Sequence, residues 1–194
     1  MFSRRAAVAA AGSLALAVGL TGCSLLESGT GPEPLTGVAA CALGHTWKLD
    51  MADISEKLLA ELQRQKIPAS AVVSEGEQTL DWDERSHAVL TSDFTVTITA
   101  PIAADQTITI VRTYTGEAVG PAYINGDVAI PRSWDVSEQS VETVADNNGT
   151  ALEEVPWVIP PVGIDDSVGL ILTCDGSTMT IQPRGSRIVQ TWTR

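Results

Sequence analysis

The chain has 194 residues, 24 acidic against 12 basic, a formal net charge of −12, three cysteines and two histidines. So acidic a chain is repelled by nucleic acid and by anionic lipid headgroups, which excludes both as electrostatic partners. Two histidines and three scattered cysteines do not make a zinc-type ligand set, and neither metal nor cofactor is expected.

The first element is a targeting segment. Met1-Phe2-Ser3-Arg4-Arg5 places two arginines ahead of every acidic residue, and an apolar run of 15 residues, Ala6 to Leu20, follows, broken only by Gly12, Ser13 and Gly19. A membrane-spanning helix needs about 20 residues, so this run has the proportions of a signal peptide, residues 1–22. It ends Leu20-Thr21-Gly22-Cys23. That ending resembles the lipobox of bacterial lipoproteins. The resemblance implies that the Cys23 thiol receives a diacylglyceryl, palmitate-type lipid and that a peptidase then cuts on its N-terminal side. The small residues at 21 and 22 leave room in the peptidase, and only a thiolate serves as the nucleophile that takes the lipid. Ser3-Arg4-Arg5 is also similar to the start of a twin-arginine signal, although no large apolar residue follows, so Sec and twin-arginine export both stay open.

Processing leaves Cys23–Arg194, 172 residues with 24 acidic and 10 basic side chains, a balance of −14. That length suits one domain with a sizeable core. The lipid, rather than surface charge, must hold it at the extracytoplasmic face of the cell membrane. Residues 24–40, rich in Gly, Pro and Ser and without a period, read as a flexible tether; 41–194 read as the folded domain. An exported chain left with two cysteines joins them, so Cys41 and Cys174 are expected to form a disulfide.

The domain opens on an alternating stretch, Cys41 to Asp50, with Cys41, Leu43, His45, Trp47 and Leu49 on one face: a half-buried strand. Asp53 and Glu56 then have capping-box spacing. Met51, Ile54, Leu58 and Leu62 recur on one helical face with Leu59 beside them, and Pro68 closes the helix. Beyond it the period is two. Leu80 and Trp82 share a face, and from Ala88 to Ile102 the even positions keep one phase, so this is one long bent strand or two in sequence. Gln106 to Gly116 is a further strand. Asn125-Gly126 signals a hairpin, and Asn148-Gly149, Asp175-Gly176 and Arg184-Gly185 mark further turns. The last three strands lie in Gly169–Cys174, Thr178–Gln182 and Arg187–Arg194. The expectation is a mainly β domain: a single antiparallel meander of about eight to ten strands closing into a barrel, with one amphipathic helix after the first strand.

The two ends of the domain, Leu43-Gly44-His45-Thr46-Trp47-Lys48-Leu49 and Thr191-Trp192-Thr193-Arg194, look like the ends of a lipocalin-like (calycin) barrel. That resemblance implies that Trp47 packs at the barrel base and that Arg194 covers it in a cation–π contact. Two residues rather than one separate Gly44 from Trp47, and an early helix is unlike typical lipocalins. The pairing of Gly44-His45-Thr46-Trp47-Lys48-Leu49-Asp50 with Cys174-Asp175-Gly176-Ser177-Thr178 is closer to small lipid-anchored envelope proteins of actinobacteria, which mostly have no assigned activity.

No nucleophile, zinc-protease, dinucleotide or phosphate-loop motif occurs, so no enzyme is expected. Asp81-Trp82-Asp83-Glu84 and Asp165-Asp166 lack the spacing of a calcium loop and read as solvated turns. Four residues are candidate ligand contacts. His45 is on the inward face beside Trp47. Arg112 shares its phase with the inward Ile108, Ile110 and Tyr114, so either a twist or bulge throws it outward or it sits inside and needs an anion, from a protein carboxylate or a ligand headgroup. Trp157 sits in the proline-locked segment 153–163. The leading expectation is capture of a small apolar or amphipathic molecule inside the barrel; the alternative is a structural or protein-interaction envelope lipoprotein whose barrel is filled by side chains. A hollow or a filled centre separates the two.

Overall fold

The computed structural model describes residues 35–164 and 167–194. The signal segment, Cys23, most of the tether and Asp165-Asp166 lie outside the described residues.

The chain is mainly β. Ten antiparallel strands follow in order: β1 (His45–Leu49), β2 (Ala71–Trp82), β3 (His87–Ala103), β4 (Gln106–Asn125), β5 (Val128–Pro131), β6 (Ser140–Asn147), β7 (Thr150–Ala151), β8 (Leu170–Asp175), β9 (Thr178–Pro183) and β10 (Gln190–Thr193). Each pairs with its neighbours in the order β3-β2-β1-β10-β9-β8-β5-β4, and β4 pairs β3 again, so eight strands form a closed ring. Closure removes the edges an open sheet would offer to other chains. The path departs from the expected single meander at β6 and β7. This hairpin leaves the ring and pairs only with the first half of β4, from Ile108–Asn147 to Thr115–Ser140.

Gly116 explains the departure. Its φ of +89° bends β4 where it leaves β6, and a side chain there would strike the backbone carbonyl of Glu138. Beyond the bend, β4 takes β5 as its partner through Ala122–Pro131 to Asn125–Val128. A residue other than glycine would carry both the left-handed backbone and the collision.

Among the described residues two helices accompany the strands. The helix expected after the first strand is α2 (Met51–Arg64), buried through Ile54, Leu58 and Leu62. Its cap is Asp50, whose carboxylate accepts the N–H groups of Ala52 and Asp53, rather than the expected Asp53–Glu56 box. Its end is set before Pro68. Lys66 takes φ +63°, and its N–H donates to the Gln63 carbonyl while that of Ile67 donates to Leu62 at 3.0 Å. This is a Schellman closure, and Ile67 packs in the same core as Leu62.

The expected strand from Cys41 splits. Residues Gly37–Ala42 form a short helix, α1, and the strand begins only at His45. Residues 37–40 are thus helical rather than tether, because Val38, Ala39 and Ala42 pack on the core and Cys41 is bonded. The disulfide joins Cys41 to Cys174 with 6.0 Å between their Cα atoms.

Two cores result. Inside the ring, Trp47, Trp82 and Trp192 are fully buried among Leu80, Leu90, Leu172 and Met179. Between α2 and the long β2–β3–β4 sheet, Ile54, Leu58 and Leu62 meet Phe94, Ile98, Ile108 and Ile110. The even-numbered face of β3 is buried from Ala88 to Ala100, as its unbroken phase requires.

Candidate functional site

The guanidinium of Arg194 lies 5.2 Å from the centre of the Trp47 ring. Trp47 itself is sealed, its indole N–H donating to the Ala42 carbonyl at 2.9 Å. The centre of the ring is filled: the void bounded by Leu80, Trp82, Ala88, Ala122, Trp134 and Leu170 has no room for a water molecule. Space for a ligand opens elsewhere, around a strap formed by residues 156–164.

Chain chemistry explains the strap. Pro160 and Pro161 bring no N–H, so the segment cannot join a ladder as donor, and its carbonyls must find partners elsewhere. Arg112 supplies one set. Its Nη1 donates to the carbonyls of Ile159 and Pro160, both at 3.4 Å, and its Nε to Thr143 Oγ1 at 3.2 Å. Tyr114, stacked on Phe94 at 4.4 Å, accepts the Val162 N–H on its hydroxyl at 3.4 Å. Gln190, on β10, donates to the Gly163 carbonyl at 2.7 Å. Ile159 and Val162 are buried in the second core.

Residues 161–164 of the strap line two cavities. The smaller, of about 210 Å³, is walled by Gln78, Ser92, Arg112, Tyr114 and the stretch Gln139–Val141. Gln78 and Ser92 are buried, 2% and 5% exposed, and bonded to each other at 2.8 Å, while Gln78 Oε1 has no partner among the described residues. The larger, a cleft of about 510 Å³, lies between the C-terminal turn of α2, the strap and the β9–β10 loop. Its lining mixes Val158, Pro160, Ile164 and Ile188 with Arg64, Arg184, Arg187 and Glu61. The Arg64 side chain, then that of Gln65, hold the Glu61 carboxyl down to about 2, with Arg187 adding a smaller attraction through space.

Of the four candidate contacts, Arg112 and Tyr114 come together, on the wall of the smaller cavity. Trp157 is half-buried against the second core and lines neither cavity. His45 is remote. It stands opposite Trp82, which faces Ala88 and in turn Gly120, eight residues along β4 from Arg112 and on the other side of the bend at Gly116. Its ring meets Trp47 edge-on at 6.2 Å. The inward arginine therefore needs no anion: backbone carbonyls and a hydroxyl take its place.

Sequence reasoning missed Gln78, Ser92 and Gln190. Their signal was present, a polar residue at an inward phase beside Leu80, Leu90 and Trp192. It missed Arg64, Arg184 and Arg187 because only the fold brings them together. Of the acidic turns, Asp83 is a turn former, its Oδ1 accepting the N–H groups of Arg85 and His87 at 2.8 Å. The His87 N–H foremost, with that of Arg85, holds this carboxyl below the usual range. Among the described residues no cluster of three metal-ligating side chains occurs, and no helix is long and apolar enough to cross a membrane.

The chain matches no family model, no curated protein and no solved structure.

Proposed function

We propose that this chain is an extracytoplasmic lipoprotein, anchored through a lipid on Cys23, whose lipocalin-like barrel is a scaffold presenting a small amphipathic ligand at the strap. It performs no reaction and takes no cofactor. The observation that carries the ligand reading is the 510 Å³ cleft, within the usual 300–1,000 Å³ range of small-molecule sites and lined by both apolar and charged groups. The Trp47–Arg194 contact and the ring of eight strands support the lipocalin-like reading. The filled ring centre moves the ligand from the barrel interior, where the sequence led us to expect it, to its end.

The same filled centre favours a second reading, an envelope interaction protein with no small ligand. Native mass spectrometry of the full-length protein, released from membranes in a mild detergent, separates them. A retained amphiphile of defined mass supports the ligand reading; a bare protein, together with a partner chain that survives release, supports the second. For the anchor, Cys23→Ala should move the protein out of the membrane fraction and block processing. A variant that stays membrane-bound and processed alike would remove that part of the proposal.

A further inference from the structure

Resting on the ligand reading above, we infer that the cleft is an anion site. Arg184 and Arg187 receive the carboxylate or phosphate headgroup of a single-chain amphiphile, whose chain lies along the strap at Val158, Pro160 and Ile164.

Charge distribution is the first argument. Of the 24 acids, Glu27, Glu33, Asp165 and Asp166 lie outside the described residues, which leaves 20 acids against 10 bases. At that ratio a wall with one acid would hold fewer than one base, yet the described wall holds Arg64, Arg184 and Arg187 against Glu61 alone. Pairing is the second. Glu61 is saturated locally: both its oxygens accept from Arg64, and Oε1 accepts from Gln65 Nε2 at 2.8 Å. Among the described residues, Arg184 and Arg187 make no ion pair and no side-chain hydrogen bond. Their donors are therefore available for a ligand, whereas those of Arg112 hold the strap.

Construction is the third argument. The two arginines sit three residues apart on a built turn. Gly185 takes φ +86°, the Ser186 N–H donates to the Pro183 carbonyl at 2.9 Å, and Gln182 Nε2 donates to the Ser186 carbonyl at 2.8 Å. Gly169 leaves room for the stem of Arg184, since a side chain there would stand 3.3 Å from its Cδ and Nε. Paired guanidinium forks match the planar oxygens of a carboxylate or the tetrahedral face of a phosphate better than ammonium groups do. Beside them Val158 is 87% exposed, the most exposed of the large apolar side chains among the described residues, at the edge of the same cleft. One end of the cleft thus suits an anion and the other a hydrocarbon chain.

The test uses membranes carrying the full-length chain. They are irradiated with diazirine-bearing dodecanoate, with the matching dodecyl phosphate, or with the neutral alcohol of equal length, and labelled peptides are located by mass spectrometry. Both anionic probes should label segments 156–164 and 183–188, and the alcohol far less. The ratio of carboxylate to phosphate labelling identifies the headgroup source. Arg184→Met/Arg187→Met should lower anionic labelling roughly 10- to 100-fold, the loss expected for one or two charge-assisted hydrogen bonds. Arg85→Met, a change at another exposed arginine, controls for lost surface charge and should leave labelling intact. Equal labelling by all three probes, unchanged in the double variant, would overturn the anion site and leave ligand capture standing. Absence of label from the cleft with every probe would overturn both.

Discussion

The disulfide offers the sharpest quantitative test, because its effect lies almost wholly in the unfolded chain. Cys41 and Cys174 are 133 residues apart, so the bond closes most of the domain into one loop. In the chain-entropy treatment a loop of that length restricts the unfolded ensemble by about 5 kcal/mol at 25 °C. Total stability for a domain is about 5–15 kcal/mol, so Cys41→Ala/Cys174→Ala should lose a third or more of it. For a chain of this size the loss corresponds to a fall of roughly 10–20 °C in Tm. Urea denaturation followed by tryptophan emission reads the change, since Trp47, Trp82 and Trp192 are fully buried. The slope with denaturant is the discriminating quantity. A released loop lets the unfolded state expand, so the double variant should show a steeper slope as well as a lower midpoint. A loss under about 1 kcal/mol, or a lower midpoint with the slope unchanged, would refute the unfolded-state account and reduce the bond to local packing of α1 on β8.

Three further outcomes follow from local geometry. Gly116→Ala should cost about 2–5 kcal/mol, from a left-handed backbone and a collision with the Glu138 carbonyl that cannot swing aside; a cost below about 1 kcal/mol in urea would show that β4 does not depend on this bend. Lys66→Gly should raise stability by about 0.5–1 kcal/mol, since glycine takes the left-handed closure of α2 without a Cβ penalty; an unchanged urea midpoint would argue against the closure. The Glu61 carboxyl is held down to about 2 from 4.5, so its contribution is fully present above about pH 4.5 and is lost as pH falls towards 2. Glu61→Gln should flatten that part of the stability profile, and an identical profile would show that the Arg64 pairing is not formed in solution.

Periodicity made much of this fold legible. The even phase from Ala88 to Ala100 is the buried face of β3, and the same rule placed Ile108, Ile110 and Tyr114 inward on β4. Asn148-Gly149 is a two-residue turn with φ of +51° and +82°, the conformation that Asn-Gly favours. What escaped depended on contacts remote in sequence. Cys41 to Leu49 alternates as a strand would, yet its first residues coil into α1, because the bond to Cys174 and packing on the ring outweigh a short alternating pattern. Asp50 rather than Asp53 caps α2, because β1 carries the chain directly into the helix and the residue at the junction takes the cap. Periodicity put Arg112 in the inward phase of β4 but left open whether it turned outward or met an anion, and it does neither. The carbonyls that satisfy it are those of Ile159 and Pro160, 47 and 48 residues further on, and carbonyls carry no sequence signature. Arg64 and Arg184 are 120 residues apart, and no local pattern marks them as neighbours.

The charge of the chain also bears on the proposed anion site. A net −14 from Cys23 onward opposes an anionic ligand at long range. At physiological ionic strength, however, the Debye length is about 8 Å. Acids beyond that distance from the cleft are largely screened, while a headgroup in contact with Arg184 and Arg187 meets them nearly unscreened. An isolated carboxylate or phosphate therefore responds to its immediate surroundings. A polyanion such as nucleic acid, or a membrane face of anionic headgroups, spans many Debye lengths and meets the acidic surface as a whole. The proposed site would thus separate two kinds of anion by size, with extended ones held off and a single amphiphile admitted. The physical consequence is a definite response to salt. Dilution to low ionic strength lengthens the reach of the acidic surface towards the cleft. Capture of the anionic amphiphile should then slow on dilution, whereas a neutral amphiphile of equal length should be indifferent. The opposite trend for the anion, faster capture at low salt, would mean that the arginines rather than the acids control the field at the entrance.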